Sequence, residues 1–166
     1  MLSYAKGPAV ALREQTIWET FRATAARVPD HPALISRHQN VRWTFREMAQ
    51  KAEEVARGLS GLGFRAQDRV GIWSSNCAEW ILLQLACART GVVLVNVNPA
   101  YRSWELRYVL NKSRIRGLFL WERDRRADYR AIVAEAREGE TLLLEHLIYF
   151  GDPRWDQMLA RGTAVP

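Results

Sequence analysis

The segment best suited to bind an anion carries three arginines, Arg123, Arg125 and Arg126. Guanidinium groups pair bidentately with phosphate and carboxylate oxygens. Asp124 interrupts the cluster, and the other basic residues of the chain, whose net charge is +6, are scattered along the sequence. Nucleic-acid-binding surfaces instead gather basic residues on one face between exposed aromatic side chains, so we predict no nucleic-acid partner. An acidic small molecule or an acidic protein surface explains the positive charge equally well.

The other chemically capable residues do not follow the spacing of known cofactor, metal or catalytic sites. Gly58, Gly61 and Gly63 come after a predicted helix and before a predicted strand, whereas a dinucleotide fingerprint needs the opposite order. Cys77 and Cys87 lie ten residues apart on one predicted helix, too far apart to form a disulfide. The three histidines lack metal-binding spacing, and no Gly-x-Ser-x-Gly elbow occurs. We therefore predict reduced thiols, no metal site and no catalytic residue in this chain.

The length and composition are typical of one globular domain. The chain has 166 residues, of which 48% are hydrophobic and 25% charged. Residues 1–15 carry no periodic pattern and are predicted to form an extended arm, while residues 16–166 are predicted to form a single α/β domain. No apolar run approaches the roughly 18 residues of a membrane span, so no transmembrane segment is predicted. The first residues lack the apolar core of a secretory signal, which predicts a cytoplasmic location.

Several local signals predict where the helices begin. Capping boxes, in which a Thr hydroxyl and a Glu three residues later each bond the other's backbone amide, predict helix starts at Thr16 and Thr44. Asn76 is predicted to cap the next helix, which is apolar on nearly every side. Between the first two helices, Ala33–Ser36 and Val41–Trp43 are predicted to pair as a hairpin.

Strands and helices alternate from Asp68 onward, which predicts βαβ units and a largely parallel sheet with flanking helices. The predicted strands are Asp68–Trp73, Val92–Val97, Ile115–Trp121 and Leu142–Phe150. Because Val92–Val97 is rich in β-branched residues, we predict that it lies in the middle of the sheet. Trp104 and Trp155 have polar neighbours in the sequence and are predicted to be partly exposed.

Two segments resemble one family of enzymes. The segment Gly63–Tyr101, GFRAQDRVGIWSSNCAEWILLQLACARTGVVLVNVNPAY, resembles the opening portion of the AMP-forming acyl-CoA synthetases. The stretch VRWTFREM, residues 41–48, is similar to the first conserved stretch of that family. The NPAY and SSNCAEW segments look most like fatty-acyl-CoA synthetases of the medium-chain or related type. The resemblance implies that the chain is part of the N-terminal domain of an adenylate-forming ligase.

The resemblance also implies the cofactors and one partial site. The intact enzyme would use ATP, Mg²⁺ and coenzyme A to convert a fatty acid into its acyl-CoA. By position, the nucleotide end of coenzyme A would contact Asn98, Pro99, Ala100 and Arg126, or a neighbouring arginine in place of Arg126. The family's glycine-rich phosphate loop with its lysine, and its later ATP-binding segments, are not matched in this chain. We therefore expect no cofactor to bind strongly to this chain alone and no activity without the remaining ligase domains.

Two alternatives to an acyl-CoA ligase stay open from the sequence. The first is a non-catalytic remnant or split-gene α/β module that binds a partner or a nucleotide. The second is a small nucleotide-binding α/β protein unrelated to ligases. If strands of this chain evolved beside a larger portion, their edges recruit other chains, and we expect self-association, with Leu142–Phe150 as the leading contact.

Overall fold

The computed structural model describes residues 3–125, 127–138, 142–162 and 164–165. Residues 3–15 form no helix or strand and are exposed. Six α-helices follow in the described residues: α1 (Ile17–Arg27), α2 (Phe45–Gly61), α3 (Ala78–Thr90), α4 (Ser103–Lys112), α5 (Tyr129–Arg137) and α6 (Pro153–Ala160). A short 3-10 helix, Arg37–Gln39, forms the tip of the β1–β2 hairpin. The strands are β1 (Pro32–Ser36), β2 (Val41–Thr44), β3 (Arg69–Trp73), β4 (Val93–Asn96), β5 (Gly117–Leu120) and β6 (His146–Tyr149). No helix among these residues is long and apolar enough to cross a membrane.

The four later strands form a parallel sheet in the order β4-β3-β5-β6, and helices connect them. The predicted α/β class with a parallel sheet is therefore confirmed. The predicted position of the valine-rich strand is wrong, because within the described part of the chain β4 pairs with β3 alone and lies at an edge of this sheet. β-branched side chains favour a strand because they pack well on a pleated surface, but they do not determine where that strand lies in the sheet. The position is set by the crossover connections between the strands.

Two hydrophobic cores cover the two faces of the parallel sheet. Helices α2 and α3, supported by α1 and α6, pack on one face, and α4 and α5 pack on the other. Helix α6, which the sequence analysis did not predict, approaches α2 closely at Gly58, where a Cβ atom would lie 2.9 Å from Met158 Cγ. Trp155 on α6 is only 7% exposed, so its predicted exposure is wrong. Trp104 is 70% exposed, as predicted.

Trp155 is buried because α6 brings it against aromatic residues from two other segments. Its ring centroid lies 5.2 Å from that of Phe150 and 6.4 Å from that of Phe119, both in edge-to-face geometry. Such pairs are favourable beyond the area that they bury. The polar neighbours of Trp155 in the sequence face outward on the same helix and gave no sign of this packing.

The predicted capping boxes are present at Thr16 and Thr44. The predicted cap at Asn76 is wrong, because α3 begins after Cys77 and has no cap from its own segment. The side chain of Gln39, at the tip of the β1–β2 hairpin, caps α3 in place of Asn76. Gln39 Oε1 accepts a hydrogen bond from Ala78 N at 2.7 Å, and its Nε2 donates to Glu79 Oε2 at 2.8 Å.

The hairpin itself is confirmed, with β1 and β2 antiparallel. The last predicted strand, Leu142–Phe150, is longer than the observed β6, and residues 142–145 lie outside it. The amides of Glu145 and His146 both donate to the Arg116 carbonyl oxygen, at 2.8 and 3.0 Å. The guanidinium of Arg116 also pairs with the Glu145 carboxylate at 2.7 Å. This ion pair fixes the position of the residue directly before β6.

Removing the hydroxyl of Thr44 should destabilise the domain. Thr44 Oγ1 accepts a hydrogen bond from Glu47 N at 3.2 Å, and Thr44 N donates to Glu47 Oε2 at 2.8 Å. We expect Thr44→Ala to lower the free energy of unfolding by about 1 kcal/mol, measured by thermal or urea unfolding. Thr44→Ser keeps the hydroxyl and serves as the control. Equal stability of Thr44→Ala and the unmodified chain would contradict the capping role.

The isolated chain should self-associate at micromolar concentration. Strands β4 and β6 each pair on one side only among the described residues, and unpaired strand edges recruit other chains. Trp104 and Tyr108 are 70% and 58% exposed one turn apart on α4, and Leu143 is 51% exposed beside β6. Light scattering measures the mass in solution. A stable monomer that also fails to bind a hydrophobic dye would contradict this expectation.

Candidate functional site

The carboxyl ends of the parallel strands lie along one edge of the sheet, at Trp73, Asn96, Leu120 and Tyr149. The chain leaves β3 towards β4 on one side and then returns to β5 on the other side of β3. In open parallel α/β sheets, ligands bind outside the carboxyl ends of the strands, where the strand order changes direction. The topology therefore places the candidate site between the ends of β3 and β5.

A crevice of about 220 Å³ lies at this position. Its walls come from the segment after β3, the loop after β5, the first turn of α5 and the tip of the β1–β2 hairpin. The lining residues are His38, Gln39, Ser75, Asn76, Cys77, Trp121, Arg123, Asp124 and Tyr129. Polar groups from four separate segments therefore meet at one opening.

Asp124 joins the segments that follow β3 and β5. Its Oδ2 accepts hydrogen bonds from Ser75 Oγ at 2.8 Å and from the Tyr129 hydroxyl at 2.9 Å, and its Oδ1 accepts one from Ala127 N at 3.0 Å. Burial, together with the hydrogen bond to Asp124, raises the pKa of Tyr129. Tyr129 therefore stays protonated at neutral pH and remains a donor. These three donors give Asp124 a role in holding the crevice together.

The turn after β4 lies beside the crevice. The carbonyl oxygen of Asn98 accepts a hydrogen bond from Trp73 Nε1 at 2.9 Å, and Ala100 N donates to Asn98 Oδ1 at 3.0 Å. Asn side chains favour turns of this kind. The turn leaves Asn98 and Ala100 exposed and Pro99 half-buried. The ring of Trp73 meets that of Tyr129 at 4.6 Å between centroids, which connects the turn to the crevice.

Those site residues predicted from the sequence that the structure describes lie at the carboxyl edge of the parallel sheet. Residues 98–100 form the turn after β4, and Arg126 lies outside the described residues. Of its two neighbours, Arg123 pairs through its backbone with Asp128 in an isolated antiparallel bridge, and the exposed Arg125 follows in the same loop. The structure therefore brings the turn and the described part of the arginine cluster to the same end of the sheet.

The gap between β5 and β6 is closed at the same edge. The guanidinium of Arg130 pairs with the carboxylate of Glu122 and lies 3.4 Å from Asp152 Oδ2. It also lies over the Tyr149 ring, 4.2 Å from the centroid. Burial raises the pKa of Tyr149, and the positive charge of Arg130 partly opposes this shift. The ion pairs thus seal this part of the edge, while the crevice between β3 and β5 stays open.

The chemistry available at the crevice is binding through hydrogen bonds and positive charge. Burial raises the pKa of the Cys77 thiol, so it stays protonated at neutral pH and is a poor nucleophile. Cys77 and Cys87 are free thiols, as predicted. Among the described residues, no three His, Cys, Asp or Glu side chains are grouped as metal ligands.

The crevice could not be predicted from the sequence because its residues come from distant segments. His38 and Gln39 reach it from the hairpin, and no local pattern relates that hairpin to the loop after β5. One signal was available: Ser75 and Asn76 are polar residues directly after a strand with a buried, apolar composition. In a parallel sheet such residues lie at the edge where ligands bind.

The family model for AMP-binding enzymes matches residues 21–164 of this chain. The mitochondrial medium-chain acyl-CoA ligase ACSF2 of Bos taurus is 43% identical over 111 residues, which are 66% of this chain and 18% of the ligase. The YngI protein of Bacillus subtilis, assigned by name to the acyl-CoA synthetases, is 33% identical in an alignment of 159 positions that covers 89% of this chain and 29% of YngI. The chain thus spans less than a third of the length of these two relatives.

Solved structures of larger ligases share the fold. The long-chain-fatty-acid–CoA ligase FadD1 of Archaeoglobus fulgidus has a TM-score of 0.82 at 21% identity, over 98% of this chain and 33% of that protein. The N-terminal domain of FACL13 from Mycobacterium tuberculosis has a TM-score of 0.80 at 21% identity, over 92% of this chain and 38% of that domain. With the family match over residues 21–164, these findings show that the chain belongs to the AMP-binding enzyme family and corresponds to the N-terminal part of an AMP-forming acyl-CoA synthetase.

Proposed function

We propose that this chain is the N-terminal part of an enzyme that joins a fatty acid to AMP, releases pyrophosphate and then transfers the acyl group to coenzyme A. The observation that carries the proposal is the 43% identity to a relative named as a medium-chain acyl-CoA ligase. The 33% identity to YngI extends over 89% of the chain and adds support from a second relative. On this basis the substrate is a fatty acid of medium chain length.

ATP and Mg²⁺ do not fit the residues described in this chain. The sequence holds no glycine-rich loop followed by a lysine, and backbone amides of such a loop are what ATP phosphates require. The described residues also contain no group of three carboxylate, His or Cys side chains that would hold a metal ion. Adenylation depends on cations and amides placed around developing phosphate charge, and the remaining ligase domains supply them in this proposal.

Coenzyme A fits the carboxyl edge of the sheet better. The proposed contacts with its nucleotide end are Asn98, Pro99, Ala100 and Arg126. Asn98 and Ala100 are exposed in a turn that is fixed by hydrogen bonds, and an exposed turn leaves its outer side open to a nucleotide. Arg123 and Arg125, the described arginines of the loop after β5, lie at the same edge, and guanidinium groups suit phosphate.

We propose the cytoplasm as the location. Both cysteines are free and buried, which is consistent with a reducing compartment. The mitochondrial location in the name of the bovine relative is the competing assignment. Imaging of the chain fused to a fluorescent protein at its carboxyl end distinguishes the two.

The proposal is tested by exchanging parts between relatives. The segment of Bacillus YngI that corresponds to this chain is replaced by residues 1–166, and formation of octanoyl-CoA from octanoate, ATP and coenzyme A is measured. The controls are intact YngI, whose own octanoyl-CoA formation must be detectable, and YngI without that segment. Activity of the chimaera but not of the shortened protein supports the proposal. A folded chimaera that is inactive while intact YngI is active would contradict it and favour a non-catalytic module.

The 166-residue chain alone should not adenylate fatty acids. It lacks the phosphate loop and lysine that hold ATP. We expect no pyrophosphate exchange that depends on octanoate when the purified chain is assayed by itself, with intact YngI as the positive control. Exchange above the rate without octanoate would overturn this expectation.

Arg126 should contribute to coenzyme A binding. Loss of one charge-assisted contact with a phosphate group should weaken binding by about tenfold, so we expect this loss for Arg126→Ala in the active chimaera, measured as the KM for coenzyme A. Arg69→Ala is the matched control because it removes the same charge from an exposed position at the amino end of β3, away from the carboxyl edge of the sheet. An unchanged KM in Arg126→Ala, or equal losses in the two variants, would contradict the assignment of Arg126.

A further inference from the structure

A second concave surface lies between the β1–β2 hairpin and the start of α3. This hairpin groove has a volume of about 390 Å³, within the roughly 300–1,000 Å³ of small-molecule sites. One end has apolar walls formed by Leu34 and Ile35 of β1 and by Trp80 and Ile81 of α3. Ile35 is 55% exposed. The groove thus offers apolar contact area that the chain itself leaves open to solvent.

The other end of the hairpin groove is polar and positively charged. Arg37, His38 and Asn76 line it, and all three are exposed. The guanidinium of Arg37 makes no hydrogen bond or ion pair with any described residue. Glu79, the acidic side chain nearest in sequence to this end of α3, is already bonded to Gln39. The groove therefore presents an unpaired cation at the end of an apolar surface.

We propose that the hairpin groove binds a free fatty acid, with the alkyl chain on Leu34, Ile35, Trp80 and Ile81 and the carboxylate on Arg37. Charge complementarity selects an anionic head group, since guanidinium pairs bidentately with carboxylate. The apolar walls select an alkyl tail, because each methylene group that they cover is removed from water. A groove of this volume suits a small molecule.

The hairpin groove adjoins the crevice at the carboxyl edge of the sheet, because His38, Asn76 and Cys77 line both. A carboxylate on Arg37 would therefore lie near the opening of the crevice. The choice of a fatty acid as the occupant rests on the proposed function, but the groove and its charge do not. The binding test below uses no ligase activity, so its failure leaves the chimaera experiment unaffected.

The test is titration of the purified 166-residue chain with decanoate below its micelle concentration, followed by calorimetry. We expect one saturable site, affinity that rises at least about fivefold from hexanoate to decanoate, and weaker binding of decanol, which lacks the carboxylate. Arg37→Glu should weaken decanoate binding by about tenfold. Arg69→Glu is the matched control, because Arg69 is exposed at the amino end of β3, the end of the sheet opposite the groove, and does not line the groove.

A second variant tests the apolar wall without changing the charge. Ile35→Asn puts a neutral polar side chain into the exposed apolar wall and should weaken decanoate binding by about tenfold, while circular dichroism checks that the variant remains folded. Absence of saturable decanoate binding to the unmodified chain would overturn the proposal. Equal losses in Arg37→Glu and Arg69→Glu would also overturn it, because they would show a non-specific effect of charge.

Discussion

The indole of Trp73 holds the carboxyl edge of the sheet together. Trp73 is fully buried at the end of β3, and its Nε1 donates to the Asn98 carbonyl oxygen at 2.9 Å. A buried donor without an acceptor costs about 1–3 kcal/mol, so the turn after β4 is constrained to place its carbonyl group there. The same ring packs against Tyr129, whose hydroxyl donates to Asp124. One side chain therefore fixes the turn relative to the crevice.

Features that depend on neighbours in the sequence could be predicted, and features that depend on distant partners could not. The capping boxes at Thr16 and Thr44 are confirmed because both partners lie within one turn of helix. The start of α3 was predicted wrongly because its cap, Gln39, comes from 39 residues earlier in the chain. Trp155 was predicted wrongly for a similar reason, since its partners Phe119 and Phe150 belong to other segments.

The same distinction applies to the candidate site. The alternation of strands and helices was sufficient to predict a parallel sheet, and the resemblance to a ligase family directed attention to residues 98–100. The crevice itself depends on strand order, because β5 pairs with the side of β3 opposite β4. Composition contains no such information: it placed β4 in the middle of the sheet. Ser75, Asp124 and Tyr129 therefore became a site only when the order of the strands was known.

The hairpin tip has a larger role at the site than its size suggests. A two-stranded sheet is marginally stable by itself, and here Gln39 fastens it to α3 through Ala78 N and Glu79. Ser36 Oγ donates to Gln39 Oε1 at 2.8 Å and helps to orient the amide. Because His38 lines both the crevice and the hairpin groove, any shift of the hairpin changes both surfaces at once. The geometry of the carboxyl edge thus depends on a hydrogen bond from outside the parallel sheet as well as on Trp73 within it.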